Sequence, residues 1–177
     1  MSQSELPEPW LRGTLQDVPA IQRAVLHALE LAKEDLKHWC GDLSDEQVNE
    51  RPSGLPPVAF HLRHVARSLD RLLTCAEGRA LTEQQLAIKN AELDPGATRG
   101  ELFLELNRAL AESARRVQAC EVSALEQVRH VGRKRLPTTL AGLLVHVADH
   151  TQRHVGQAII TAKIVLAQRP PGVSPLS

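Results

Sequence analysis

The sequence predicts an all-α protein: a four-helix bundle with a crossover connection and a short extra helix. Three observations carry that prediction. Four long segments repeat apolar residues at three- and four-residue steps, the spacing of one buried helix face. Cap and stop residues bracket those segments. No stretch sustains period-two alternation and there is no Asn-Gly hairpin turn, so no strand is expected.

Residues 1–16, with Pro7, Pro9 and Gly13, read as an extended leader ahead of the domain. Asp17-Val-Pro19 reads as a helix start, Asp as N-cap and Pro in the first turn. Ile21, Val25, Leu29, Ala32 and Leu36 form the buried stripe of that first helix, and Gly41 ends it. Leu43 to Pro57 is a connecting segment punctuated by Pro52, Gly54, Pro56 and Pro57, and it is long enough for a crossover. Within it Ser44-Asp-Glu-Gln47 has the pattern of a capping box for one helical turn.

The second long helix runs from about Pro57 to Ala76 on Val58, Leu62, Val65, Leu69, Leu72 and Leu73. Leu81 to Ala91 reads as a short, lightly anchored helix capped by Thr82. Asp94-Pro-Gly-Ala-Thr98 is a turn leading to another N-cap, and Arg99 to about Ala119 buries Leu102, Leu106, Leu110, Ala114 and Val117. Arg129-His-Val-Gly-Arg-Lys-Arg135 reads as a solvated basic loop. Thr138 then caps the last long helix, to about Gln168, and residues 169–177 form a flexible Pro/Gly/Ser tail. Residues 17–168 thus make one domain, a size at which a single core needs no staples.

Composition narrows the function classes. The formal charge is zero, so no overall field draws the protein to nucleic acid or acidic membranes. Two Trp, two Phe and no Tyr leave little stacking surface for single strands. Three scattered cysteines without a Cys-x-x-Cys pair fit reduced thiols better than a disulfide framework. No apolar run approaches the roughly 20 residues of a membrane span, and the N-terminus lacks a signal-peptide pattern. The expectation is a soluble, cytoplasmic protein acting on a small molecule, with neither nucleic acid nor membrane as partner.

The informative residues are histidines. His146, His150 and His154 are four apart in Leu144-Val-His-Val-Ala-Asp-His-Thr-Gln-Arg-His-Val-Gly-Gln157. Residues at i and i+4 are neighbours on a helix surface, and His-x3-His is a common way to present two imidazoles to one ion. His150 and His154 fall on the apolar stripe and His146 at its edge. His61 and His64 lie in the second helix, His61 nearer its stripe and His64 more peripheral; spacing alone does not choose between them. Several neutral imidazoles in a bundle core need partners for their polar nitrogens, and a divalent cation supplies one for each ring. A satisfied core histidine is the ordinary alternative for each taken singly.

Other templates fail. His150-Thr-Gln-Arg-His154 lacks the Glu of His-Glu-x-x-His, and neither histidine-bearing helix contains Glu-x-x-His. There is no phosphate loop, nucleophile elbow or Cys-x-x-Cys zinc knuckle.

Pro57-Val-Ala-Phe-His-Leu-Arg-His-Val-Ala-Arg-Ser-Leu-Asp-Arg-Leu72, followed by His146-Val-Ala-Asp-His-Thr-Gln-Arg-His-Val-Gly-Gln157, resembles the DinB-like superfamily of bacterial damage-inducible and thiol-transferase bundles. The resemblance runs from about Pro9 to Ala167. It implies a four-helix bundle of unusual crossover connectivity, frequently a homodimer, with a divalent metal held by three histidines. By motif, His64 (directly before Val65-Ala66) matches the second-helix ligand, and His150 and His154 match the pair ahead of Gly156-Gln157. His61, His146 and Gln157 become candidates for the surrounding shell. Many relatives place two adjacent histidines before Gly-Gln, whereas Arg153 precedes His154 here, which alters the flank of that ligand.

The resemblance further implies a thiol-dependent S-transferase using a low-molecular-weight bacterial thiol; Zn, Ni, Fe and Mn all accept imidazole, and Zn or Ni is the expected ion. Three protein ligands leave an open position for a thiol or water. A metal-dependent hydrolase and a non-catalytic, metal-stabilised bundle are the alternatives. Asp149, Gln157 and Arg67 are possible polar neighbours, but no residue stands out as a catalytic base. Imidazole must be neutral to bind, so affinity is expected to fall steeply below about pH 6.

Overall fold

A computed structural model describes residues 6–168. Six helices account for most of them: α1 (Ala20–Cys40), α2 (Asp45–Asn49), α3 (Val58–Ala76), α4 (Glu83–Asn90), α5 (Arg99–Gln118) and α6 (Leu140–Ala167). The expected flexible tail at 169–177 lies outside the described residues, as do the first five residues of the leader.

The caps explain the boundaries. Ser44, Thr82 and Thr98 each accept a hydrogen bond from the backbone N–H three residues on, and Gln47, Gln85 and Glu101 reach back to the cap N–H. All three are capping boxes, satisfying donors that a helix start would otherwise leave unpaired. Two predicted starts shift. Asp17 makes no cap bond; Pro19 is itself the N-cap in extended conformation, its carbonyl accepting from Arg23 N–H, so α1 begins at Ala20. A residue preceding proline is disfavoured in α geometry, which keeps Val18 out of the helix. At α6 the cap is Thr139 rather than Thr138, its Oγ1 accepting from Gly142 N–H at 3.0 Å.

Both threonines close a strand, contrary to the expectation of none. Val128–Val131 (β1) and Leu136–Thr139 (β2) pair antiparallel, Arg129 opposite Thr138. The basic segment is therefore a β-hairpin. Its turn closes through Arg135 N–H to Gly132 O and uses positive φ at Gly132 (71°) and Arg135 (47°). Arg129 Nε donates to Ala76 O at 2.6 Å, tying the hairpin to the C-terminal end of α3.

Long-range contacts fix the helix directions. Gln152 reaches Ala28 O and Lys163 sits 3.9 Å over the Trp39 ring, so α6 runs parallel to α1. Arg67 pairs with Glu105 while Arg116 reaches Asp70 and Thr74, so α3 and α5 are parallel. Gln22 meets Cys120 O and Arg99 meets Gly41 O, making α1 and α5 antiparallel. Packing is α1 on α5 and α6, and α3 on α5 and α6. The consecutive long helices α1 and α3 thus lie on a diagonal, and the connection between them is the expected crossover. The parallel pair α3/α5 forces residues 77–98 to travel back along roughly 28 Å of helix, at 1.5 Å per residue, and α4 lies on that return path.

The predicted stripes form the core: Val25, Leu29 and Leu36 from α1; Leu62, Val65 and Leu69 from α3; Leu102, Leu106 and Leu110 from α5; Leu143, Val147 and Ala158 from α6. The leader lies back along α1. Pro9–Leu11 makes one 3-10 turn, Arg12 pairs with Glu30 and Glu34, and Thr14 Oγ1 meets His27 Nε2 at 3.0 Å. Cys40, Cys75 and Cys120 are all free thiols. No helix among the described residues is long and apolar enough to cross a membrane.

Candidate metal centre

Residues 61, 64, 68 and 71 of α3 follow three-four-three spacing and share one face. On α6, 146, 150 and 154 share another. The antiparallel packing of these helices brings His61 to His154 and His64 to His150. His61 Nδ1 lies 3.3 Å from His154 Nδ1, and His64 Nε2 lies 3.3 Å from His150 Nε2. The ring centroids of His64 and His154 are 4.2 Å apart, and those of His150 and His154 are 4.7 Å apart. His64, His150 and His154 each offer a nitrogen such that all three lie within 4.8 Å of one another, and all three are half-buried.

The remaining candidates fall outside this triad. His61 is deeper, 4% exposed, against the His154 ring. His146 is exposed, its ring edge-on to His150 at 5.4 Å and its Nδ1 3.8 Å from Asp149. Gln157 is exposed and, among the described residues, its side chain makes no hydrogen bond. Asp149 accepts from Arg153. Arg67 is engaged on the α5 side by Glu105 and the Ile88 carbonyl.

Burial and mutual repulsion favour the neutral form of three of these imidazoles. Burial, reinforced by the neighbouring histidines, pushes His61 and His150 down to about 4. His154 is likewise pushed down to about 4 by burial, by His64 and by Arg153, with Glu92 pulling weakly the other way. Neutral imidazoles are the form that binds metal.

One participant carries no sequence signal. Glu92, on the return path between α4 and α5, is 4% exposed. Its Oε2 lies 2.6 Å from His64 Nδ1 and its Oε1 accepts from Arg71 at 2.7 Å. Burial alone would raise its pKa; the hydrogen bonds to His64 and Arg71 outweigh burial and hold it below the usual carboxylate value.

The donor set fits a transition metal. Nitrogens about 2.0–2.1 Å from one tetrahedral ion lie roughly 3.3–3.4 Å apart, and the His64–His150 separation already has that value. Each triad member also has a partner for its other nitrogen: Glu92 for His64, Ser68 Oγ (3.4 Å) for His150 Nδ1, and His61 for His154 Nδ1. Outer partners of this kind are the usual support of metal-bound histidine. Phe60 stacks on His64 at 5.3 Å and walls one side. Two surface clefts are not lined by the triad: about 360 Å³ between α1 and α5, lined by Lys33, Lys37 and Phe103, and about 200 Å³ lined by Arg67, Glu105 and the Arg71 that braces Glu92.

A crossed bundle with three convergent imidazoles on its second and last long helices defines a class of protein, and the comparisons agree. The family model of the DinB superfamily matches residues 28–158, and the chain belongs to that superfamily. Among solved structures, it is similar to the conserved protein of locus from Enterococcus faecalis, with a TM-score of 0.70 and 19% identity, covering 85% of this chain and 99% of that one. It is also similar to a DinB-like protein from Bacillus cereus ATCC 10987, with a TM-score of 0.62 and 14% identity, covering 85% and 95% respectively. At these identities the likeness concerns the fold. No curated protein matches the sequence.

Proposed function

We propose that the protein is a metal-dependent transferase that joins a low-molecular-weight thiol to a small electrophile, with Zn or Ni held by His64, His150 and His154. The observation that carries this reading is the half-buried triad with ligand nitrogens within 4.8 Å and a partner behind each ring. Three protein ligands suit a site that keeps a position for an exogenous ligand rather than a closed structural one. A metal there would lower the pKa of an incoming thiol and favour its thiolate.

The chain's own residues supply the rest. Half-burial of the three rings leaves solvent access from one side, while Phe60 covers the His64 face. The chain's cysteines are poor thiolate sources: burial pushes Cys40 up to about 12 and also raises Cys75 and Cys120. In this reading the thiol is supplied from outside. The same cluster joins α3 to α6, which supports a second reading of a non-catalytic bundle that metal merely tightens.

Elemental analysis of untagged protein, wild type beside His150→Ala, tests the shared premise. About one equivalent of transition metal in the wild type and none in the variant is the expected result. Saturable turnover of electrophiles with added thiol then separates transferase from scaffold. Hydrolysis of activated esters without thiol would point instead to water as nucleophile. Metal-free wild type after incubation with Zn and Ni would sink the premise.

A further inference from the structure

We infer that Glu92, braced by Arg71, is a positioning residue that fixes the tautomer and orientation of His64, so that the α4–α5 return path is part of the metal centre. The inference rests on the metal-site reading above and adds to it a residue that neither histidine helix contains.

A carboxylate only accepts hydrogen bonds. Glu92 Oε2 lies 2.6 Å from His64 Nδ1, so in the neutral ring the proton sits on Nδ1 and the Nε2 lone pair is left free. That lone pair faces His150 Nε2 at 3.3 Å. On the other side, Ser68 Oγ donates to Val65 O at 3.2 Å and therefore accepts from His150 Nδ1–H, which frees the His150 Nε2 lone pair as well. Two lone pairs facing each other at this distance repel unless a cation lies between them. The outer contacts thus set both inner nitrogens as donors to one ion.

Glu92 is held in turn. Its second oxygen takes Arg71 Nη1 at 2.7 Å, with Arg71 and Glu92 side chains only 11% and 5% exposed. Arg71 stands one heptad from His64 on the same helix, so the carboxylate bridges two α3 residues and cannot rotate freely. Arg63, on α3 beside His64, also donates to Asp94 O and fastens the same passage two residues on. A carboxylate so fixed, behind a metal-facing imidazole, is the kind of partner whose loss weakens metal binding about 10- to 100-fold.

The test reads the ring and the metal separately. Metal-free, ¹⁵N-histidine-labelled wild type at pH 8 is expected to show His64 protonated at Nδ1 in long-range ¹H–¹⁵N spectra. Glu92→Gln, which keeps the side-chain shape, should lower Zn affinity about 10- to 100-fold by chelator competition, with Glu92→Asp recovering part of it. In the Co-loaded protein, the exchange-protected, paramagnetically shifted Nδ1–H of His64 should broaden or vanish in Glu92→Gln. A wild-type His64 protonated at Nε2 overturns the inference, even if no variant folds. An affinity within about twofold of wild type in a folded Glu92→Gln overturns it too. Wild type that takes up no metal removes the parent reading and with it the role of Glu92. That failure is distinguishable, because the tautomer is measured without metal.

Discussion

At the level of single residues, the two α3 histidines show how periodicity and chemistry answer different questions. The helical count placed His61 nearer the core, and it is indeed the more buried of the two. A ligand has to sit at the boundary, reachable by an ion, and His64 is the half-buried member of the pair. The expected outcome is a split: His64→Ala abolishes metal uptake, whereas His61→Ala keeps one equivalent with affinity about tenfold weaker, because His154 loses the partner of its Nδ1. Equilibrium dialysis with elemental analysis decides it; full occupancy in His64→Ala would reassign the ligand. Glu92 could not be found this way. Its partner is twenty-eight positions away, and no local spacing encodes a carboxylate delivered by a return path.

Among the elements, most helix ends were legible because capping is local chemistry. Ser44, Thr82 and Thr98 each need only a residue three positions later to complete the box. The hairpin was not legible. Its strands are four residues long, basic in one and proline-bearing in the other; the first alternates in burial without alternating in polarity, and the second alternates in neither. What stabilises them is tertiary, the Arg129 bond to the end of α3. The three caps should differ in weight for the same reason. Thr98 starts a helix that buries Leu102, Leu106 and Leu110, so Thr98→Ala should cost about 1 kcal/mol. Thr82 starts α4, which buries nothing, and Thr82→Ala should leave the global urea midpoint almost unchanged while raising amide exchange in α4. Equal losses of midpoint in the two variants would show that α4 unfolds with the core.

For the whole molecule, the crossed topology has an electrostatic consequence. Packing α3 antiparallel on α6 puts His61, His150 and His154 in one half-dry place, each pushed down to about 4. In the unfolded chain they titrate near 6.5. Between those values the unfolded state binds more protons, so stability must fall as pH drops. It is greatest above about pH 7, and the loss is complete once pH passes below about 4. With solvent screening of the half-buried rings, the three together amount to a few kcal/mol, a fall in Tm on the order of 10 °C. Carboxylates held low by their partners, Glu77 and Glu92 among them, act in the same direction but only below their ordinary pKa near 4.5. The interval from pH 7 to pH 5 therefore belongs to the histidines. Bound metal holds the imidazoles deprotonated while the unfolded chain still takes up protons, so loaded protein should melt higher than metal-free protein at pH 7.5 but lose Tm at least as steeply as pH falls. For His150 and His154, proton competition also starts lower than an unperturbed imidazole would give, which moves their share of metal release below the expected pH 6. Calorimetric melts of metal-free and metal-loaded protein at pH 7.5, 6.5, 5.5 and 5 test this directly. A metal-free Tm that stays level from 7.5 to 5 would mean that the cluster is far wetter than its packing implies. A metal-loaded Tm no higher than the metal-free one at pH 7.5, or a loaded Tm that stays level down to pH 5, would mean that the ion does not sit on these rings.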